Sequence, residues 1–332
     1  MSNPDHATIH TDGYRCGCCQ QTERRHVMTV HRDGDGRPAQ FDLWTCQACG
    51  FIQLWPQPDD ATLASYYNSH AYYSYHELST RETARRLSFH DWLRHRIRRL
   101  SMETAGCSAT PQSWDDRIRS LLCAPLRQRF AGMPRHSPTG PLLDIGCGDG
   151  LFLYELRRLG WTVAGLEMDA QAAVAARQYG LDVRDGVVEA PPFPHTSFSV
   201  VRMWHVLEHV RNPQLVLAAA RRLLMPGGEL ILGIPNADGL YRQCFGRRWA
   251  GWDLPRHLGH FSPRTIRQLL EHEGFRVTLL RCSSVGTGAA SLVTVHPWFN
   301  HPAIRYPLVL VDLPLDLLGL GDALEVIAEA PS

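Results

Sequence analysis

Lysine is missing from this chain: all 34 of its Lys-or-Arg positions are arginine. That absence excludes Schiff-base catalysis, a pyridoxal-binding lysine and the phosphate-loop lysine of most nucleotide hydrolases. Long apolar runs are missing too. No stretch reaches the roughly 18 apolar residues that span a bilayer. The longest apolar region, Tyr306 to Leu320, is interrupted by Asp312, Pro314 and Asp316. Residues 1–40 are polar and hold no apolar core of the kind a secretory signal needs, so a cytoplasmic location is expected. Net charge is also small, +1 over 332 residues, which makes whole-molecule attraction to a polyanion weak. The remaining composition is that of an ordinary globular protein, and the length suggests about two domains.

Half of the ten cysteines are gathered near the start: Cys16, Cys18, Cys19, Cys46 and Cys49. The pairs Cys16-x-x-Cys19 and Cys46-x-x-Cys49 can each grip one edge of a metal ion from a tight turn, and four thiolates complete a tetrahedral site. In a reducing compartment paired cysteines point to metal before disulfide. The expectation is a structural Zn²⁺ in a zinc-ribbon-like module over residues 12–58, with Cys18 as a spare thiol that can stand in for Cys19. Residues 59–140 read as a helical connecting region, strongly basic between Arg81 and Arg99. That stretch is read as a solvated helix face, or as a phosphate-binding one.

From residue 141 to 332 short apolar runs alternate with helical patterns. Leu142–Ile145, Trp161–Glu167, Leu181–Arg184, Phe198–Trp204, Glu229–Ile234, Phe275–Arg281 and Ala323–Ala328 read as strands. Residues 283–322 read as an insertion before the last strand. Alternating strands and helices predict an α/β, Rossmann-like doubly wound seven-stranded sheet.

Gly146, Gly148 and Gly150 follow the first of these strands and open a helix. Bare glycines there let backbone N–H groups approach a ligand beside a helix N-terminus. Glu167 ends the second strand, where its carboxylate can accept both hydroxyls of a ribose. This pattern suits any adenosine-containing cofactor. The loop is G-x-G-x-G rather than the nicotinamide fingerprint G-x-G-x-x-G. Asp144 and Asp149 form an acidic rim, which suits a cationic sulfonium better than a pyrophosphate.

The segments LLDIGCGDG (142–150), VAGLE (163–167), PPFPHTSFSVV (191–201), HVLEHV (205–210) and LMPGGELILGIPN (224–236) resemble the class I S-adenosylmethionine-dependent methyltransferases in order and spacing. The resemblance implies that Gly146, Gly148 and Gly150 pack on the methionine moiety and that Asp144 helps hold its amino group. It implies further that Glu167 holds the ribose, that Met168 lies against the adenine, and that Gly186 and Val187 border the adenine pocket. Two positions depart from the pattern. Val187 stands where many relatives carry an Asp, and Ser199 replaces the Asp of a common S-F-D.

His205, Glu208 and His209 follow the fourth strand and share one face if the segment forms a helical turn. Three readings stay open. A histidine is a general base for the methyl acceptor, since imidazole titrates near neutral pH. Alternatively Glu208 and His209 bind a divalent cation, as the segment's resemblance to metal-assisted quinone-biosynthesis O-methyltransferases implies. Or the three form a structural hydrogen-bonded cluster. A second group, Trp252 to Phe261, places Arg256 and His257 in a loop at a strand's carboxyl end, where acceptor-side function is expected. There His257 serves as acid or base and Arg256 as a phosphate or carboxylate partner, unless both are buried in a lid.

The CxxCG and P-x-P pattern, followed by Tyr66, Tyr67, Tyr72, Tyr73 and Tyr75, resembles the zinc-binding front module of bacterial methyltransferases from sugar- and polysaccharide-modification clusters. Such a module can cover the acceptor side. The resulting expectation is methyl transfer from S-adenosyl-L-methionine to a small-molecule acceptor: a sugar nucleotide, a glycan or a secondary metabolite. The alternatives are an RNA methyltransferase that uses the zinc module and Arg-rich helix, and a non-catalytic cofactor-binding scaffold. Near-neutral charge argues against RNA. The segment Met203-Trp204-His205-Val206, found where adenine-N6 enzymes carry N/D-P-P-Y/F, argues only against adenine-N6 chemistry.

Overall fold

The computed structural model describes residues 13–67, 132–134, 140–284, 287–296, 298, 301, 312 and 314–332. The Arg-rich stretch 81–99, Tyr72, Tyr73, Tyr75, Cys107 and Cys123 lie outside the described residues, as does most of the expected connecting region.

The catalytic-type fold begins at β4 (Leu142–Ile145), after three strands and a helix of the front module: β1 (Arg24–Arg32), β2 (Pro38–Cys46), β3 (Ile52–Leu54) and α1 (Asp60–Tyr67). It continues through α2 (Leu151–Arg158), β5 (Val163–Glu167), α3 (Ala170–Gln178), β6 (Asp182–Asp185), β7 (Phe198–Trp204), α4 (Pro213–Leu223) and β8 (Leu224–Pro235). Then come α5 (Leu240–Phe245), β9 (Gly259–His260), α6 (Pro263–His272), β10 (Arg276–Ser283), α7 (Thr287–Val295) and β11 (Ala323–Glu329).

Local chemistry sets the helix starts. Asp169 accepts the Ala172 N–H at 2.8 Å, Asn212 accepts that of Leu215 at 3.2 Å, and Ser262 exchanges bonds with Thr265 in a capping box. Pro213 and Pro263 sit at first helical positions, where a missing N–H costs nothing.

The seven-stranded sheet runs β10-β11-β8-β7-β4-β5-β6. Strands β4 to β8 are mutually parallel, and β11 is antiparallel to both neighbours. Leu230, Ile231, Leu232 and Ile234 of β8 are all fully buried, as expected for a parallel sheet covered on both faces. β8 is longer than its sequence pattern suggests. Its pairing with β7 jumps from Phe198↔Leu224 to Val200↔Glu229, so the Pro226-Gly227-Gly228 turn bulges out within the strand instead of preceding it. The chain runs outward through β4, β5 and β6, then returns to the far side of β4 as β7. That reversal creates a crevice at the carboxyl ends of β4 and β7, where ligands bind in such sheets.

The front module forms a four-stranded sheet, β1-β2-β3-β9. Its last strand comes from the loop after β8: Ile52 pairs with His260 and Gln53 with Gly259. Phe51 stacks on Phe261 at 4.8 Å, and a Cβ on Gly259 would stand 2.4 Å from the Phe51 ring. The module is therefore built into the loop that follows β8 rather than appended to the chain. No helix among the described residues is long and apolar enough to cross a membrane.

Candidate active site

The loop after β4 turns on left-handed backbone, with φ of +71° at Gly146, +56° at Gly148 and +78° at Gly150. A Cβ on Gly146 would lie 2.5 Å from Val206 Cγ2, and one on Gly150 would lie 2.8 Å from the Ala176 Cβ. Side chains are thus barred by conformation and by space. The Gly146 contact also shows how closely the β4 and β7 loops approach.

Glu167 is buried at the end of β5 and accepts the Gly148 N–H at 2.8 Å and the Asp169 N–H at 2.9 Å, one at each oxygen. Carboxylate oxygens take more than one donor each, so this clamp leaves capacity for the two hydroxyls of a ribose. Burial raises its carboxyl above the usual range, and the backbone donors only partly offset that. Met168, next to Glu167 in the chain, is 72% exposed; Val187 is 51% exposed and follows Gly186, whose N–H bonds the Glu167 carbonyl at 3.2 Å. The donor set, the bare loop and the exposed apolar pair fit an adenosyl cofactor.

Asp144, expected to help hold the cofactor's amino group, is 1% exposed and bonded at 2.7 Å to Arg202. Arg202 itself lies 3.9 Å over the Phe152 ring and donates to the Gly132 carbonyl at 3.1 Å. A buried guanidinium needs such a carboxylate. Asp149 is likewise nearly buried and accepts the Leu151 N–H at 3.2 Å, in the first turn of α2.

After β7 the chain makes a turn, not the anticipated helical face. His205 has φ +56°, and this left-handed residue keeps a helix from starting there. It presents a 41% exposed imidazole whose Nδ1 is 2.9 Å from Glu208 Oε1. Glu208 is fully buried. Burial pushes its carboxyl up, but the His205 hydrogen bond and the neighbouring imidazoles outweigh it and hold the group down at about 2. Its backbone carbonyl accepts the N–H groups of Leu258 at 2.8 Å and Gly259 at 3.1 Å. This clips the β7 turn to β9.

The structure brings His257 into the same cluster. His257 Nδ1 donates to the Gly251 carbonyl at 2.9 Å, leaving its Nε2 lone pair 4.0 Å from Glu208 Oε1 and 3.8 Å from Asp253 Oδ2. His209 Nδ1 donates to the Arg256 carbonyl at 3.0 Å and lies 3.0 Å from the Tyr67 hydroxyl. Burial first, then the charge of His257, lowers His209 to about 4. Burial holds His260 neutral as well, and neither of its ring nitrogens has a partner among the described residues. Arg256 bonds Asp253 at 2.6 Å and Asp35 at 2.9 Å, so its charge is already satisfied and it is not free for an acceptor phosphate.

Sequence reading missed Asp35 as part of this site, and the pairing of Tyr67 with His209 and of Asp253 with Arg256. Tyr67 lies 142 positions from His209, and no spacing rule connects them. For Asp253 a signal existed in its i, i+4 relation to His257.

The four cysteines converge as their spacing implied. Cys16 and Cys49 sulfurs stand 3.6 Å apart, those of Cys19 and Cys46 3.5 Å, and all four lie within 4.8 Å of one another. A tetrahedron with Zn–S bonds of about 2.3 Å has edges of about 3.8 Å. The thiolate set and its size fit zinc. Cys18 is not in this group; its backbone N–H instead points at Cys16 Sγ at 3.4 Å.

A family model described as a methyltransferase domain matches residues 115–280, half of the chain. Curated relatives include ubiquinone biosynthesis O-methyltransferases. That of Klebsiella pneumoniae is 35% identical over 105 residues, covering 30% of this chain and 43% of the relative. That of Xanthomonas oryzae is 37% identical over 130 residues, covering 36% and 54%. The chain thus spans about half the length of these relatives. That of Maricaulis maris is 35% identical over 182 residues, covering 51% of this chain and 70% of the relative. A solved S-adenosylmethionine-dependent methyltransferase from Archaeoglobus fulgidus aligns over 63% of this chain and 93% of that one, at 19% identity and a TM-score of 0.43. From the matched family model and the Maricaulis relative, together with the Rossmann-like seven-stranded sheet, we conclude that this chain belongs to the methyltransferase-domain family of S-adenosylmethionine-dependent enzymes.

Proposed function

We propose that this protein transfers a methyl group from S-adenosylmethionine to a hydroxyl oxygen of a small-molecule acceptor. The observation that carries the reading is the His205–Glu208 pair at the mouth of the crevice, 2.9 Å apart, one partner exposed and the other buried. The names of the relatives, O-methyltransferases of ubiquinone biosynthesis, support oxygen as the methylated atom and a small molecule as the acceptor. A sugar nucleotide, a glycan and a secondary metabolite all belong to that class. The cluster of reduced thiols suits action in the cytoplasm.

The cofactor supplies an electrophilic methyl group on a sulfonium. Glu167 holds the ribose hydroxyls, Gly146, Gly148 and Gly150 let the backbone close on the methionine end, and Met168, Gly186 and Val187 border the adenine. Glu208 accepts the Nδ1–H of His205, which fixes the tautomer and leaves the Nε2 lone pair facing the opening. That nitrogen is placed to take the acceptor's hydroxyl proton; a bound cofactor would then give its methyl to the oxygen, the C–S bond breaking to leave S-adenosylhomocysteine while the proton rests on the imidazole. Alignment of the two reactants supplies most of the remaining rate enhancement. His257 acts from behind, holding Glu208 through the loop that it anchors. Cys16, Cys19, Cys46 and Cys49 hold a structural zinc that braces β3 against β9.

The test uses purified protein, methyl-labelled cofactor and fractionated extract of the source cells. Label is expected in the small-molecule fraction and is lost with His205→Ala. Label in RNA, or equal labelling by the variant, overturns the reading.

A further inference from the structure

The loop between β8 and α6 carries arginines of two kinds. Arg256 is closed by Asp253 at 2.6 Å and by Asp35 at 2.9 Å. Arg242, Arg247 and Arg248 have no carboxylate partner among the described residues, and the chain from Gly239 to Trp252 contains no Asp or Glu. Asp322 comes close, but it accepts the backbone N–H of Arg242 and makes no ion pair with the guanidinium. Arg247 and Arg248 are exposed, where an unpaired arginine is ordinary. Arg242 is different. It is half-buried: its Nε is sealed from water without a partner, while its two Nη amines, neither sealed nor hydrogen-bonded, reach the surface. A guanidinium drawn into the protein calls for an anion.

Beneath it lies a second orphan. His260 is fully buried, and neither ring nitrogen has a partner among the described residues. Trp252 joins the two groups: its indole meets the His260 ring edge to face at 4.7 Å, and Arg242 Cζ lies 5.7 Å from its centroid. Burial lowers the basicity of His260 most, and the charges of His257 and Arg242 act in the same direction, against Glu208 and Asp253. The turn that carries Arg247 and Arg248 is fixed to the same indole, whose Nε1–H donates to the Gly246 carbonyl at 2.8 Å. A neutral imidazole and a guanidinium Nε each carry an N–H, so this recess presents donors and positive charge. It is tied to the proposed reacting end. The His260 and His257 rings are 6.2 Å apart, and the N–H groups of Leu258 and Gly259 bond the Glu208 carbonyl.

We propose that Arg242, with His260 beneath it and Arg247 and Arg248 at its rim, binds an anionic group of the acceptor, a phosphate or a carboxylate. The guanidinium fork takes the oxygens of either group through paired N–H bonds. Three unpaired guanidiniums within seven residues suit a group with two negative charges better than a neutral one. The rings of His257, His260 and Trp252 stand between Arg242 and Glu208, so the anionic group sits at the end of the acceptor away from the hydroxyl that is methylated. Arg242 therefore selects and holds the acceptor and takes no part in proton transfer. The site deepens the proposed function and rests on it, since it defines the acceptor of that reaction.

The test is calorimetry on the full-length protein at low salt, with inorganic pyrophosphate as the phosphate probe and malonate as the carboxylate probe. Binding of at least one of them is expected, and the tighter probe identifies the group. Affinity should fall by about 10-fold or more in Arg242→Gln and by about 3-fold when Arg247→Ser and Arg248→Ser are combined. Arg264→Gln, which removes an exposed arginine from α6, should keep the wild-type affinity. No binding of either probe by the wild type, or undiminished binding by Arg242→Gln, overturns the proposal. Near-UV circular dichroism checks folding, and the exposed Arg247 and Arg248 decide if Arg242→Gln unfolds. In the extract assay the labelled product should be retained by an anion exchanger at neutral pH. With the acceptor so obtained, Arg242→Gln should raise KM by about 10-fold and leave kcat within about twofold, which a merely structural role would not do. A labelled product that is neutral or cationic sinks the anion site and leaves methyl transfer standing. Arg242-dependent binding of a probe, with no binding of S-adenosylhomocysteine, sinks the methyltransferase reading and with it the acceptor role of this site.

Discussion

The two halves of the crevice are built differently. The half proposed to hold the cofactor is almost contiguous: β4, the glycine loop, α2 and β5 all fall within residues 142–169, and Glu167 is clamped by Gly148 and Asp169. The half proposed to take the acceptor is assembled from Tyr67, the 205–209 turn, the 251–260 loop, and β3 lending hydrogen bonds to β9. A contiguous site folds wherever its strand–turn–helix folds. An assembled site depends on every contact between distant segments. Damage to the acceptor half is therefore expected to leave the cofactor half intact.

The sharpest way to break this comparison is His205→Ala. Removing a general base lowers kcat by about 10²–10⁴-fold, while affinity for S-adenosylhomocysteine, measured by calorimetry, stays within about twofold. A parallel loss of both would show that the halves are not separable. The converse variant is Glu167→Ala. Loss of charge-assisted hydrogen bonds worth about 1.5–3 kcal/mol weakens S-adenosylhomocysteine binding by about 10- to 100-fold. With saturating cofactor, turnover should recover most of its wild-type value.

Cys46→Ser, or chelation, tests the support of the acceptor half. The β3–β9 pairing and the Phe51–Phe261 contact loosen, and the melting temperature falls by about 5–10 °C. Acceptor turnover falls with it, and cofactor affinity does not. Tyr67→Phe is gentler. It removes one of two partners of His209 Nδ1, so a loss of about 3- to 10-fold in kcat/KM is expected without a change in melting temperature.

The smallest effect concerns Asp322, which lies beneath the loop that carries Trp249. Burial, with Asp312 behind it, raises its carboxyl from 3.8 to about 6, against hydrogen bonds from Tyr241 N–H and Trp249 Nε1–H. A carboxyl whose pKa is higher in the folded state stabilises the fold when protonated. That contribution is complete below pH 3.8 and is lost as pH rises through 6. Asp322→Asn should remove this downward slope. Denaturant unfolding from pH 4 to pH 7 should show the variant gaining on the wild type by about 1–2 kcal/mol. A constant difference across that range would refute the assignment.

Several parts of the site were legible from residue spacing. The glycine loop, Glu167 and the four cysteines each belong to turns a few residues long, and turn chemistry is a local property. The seven strands and the α/β class followed from the alternation of strands and helices. Other features were not legible. β9 is only two residues long and has no pattern of its own; it exists because β3 offers it an edge. Asp144 reads as a cofactor ligand by position, yet Arg202, 58 residues away, pairs with it. The His205 segment has helical spacing, but backbone at φ +56° turns it another way.

The amino-acid sequence by itself determined the fold class, the glycine loop after β4 and the paired cysteine turns, because each is encoded within one or two turns of chain. Only the tertiary structure decided that His257 joins Glu208 and His209, that Arg256 is internally paired, and that the cysteine module shares a sheet with the acceptor-side loop. These are meetings between residues tens to hundreds of positions apart. They are set by which buried charges and lone pairs must find partners once water has been excluded, and one-dimensional spacing holds no record of that requirement.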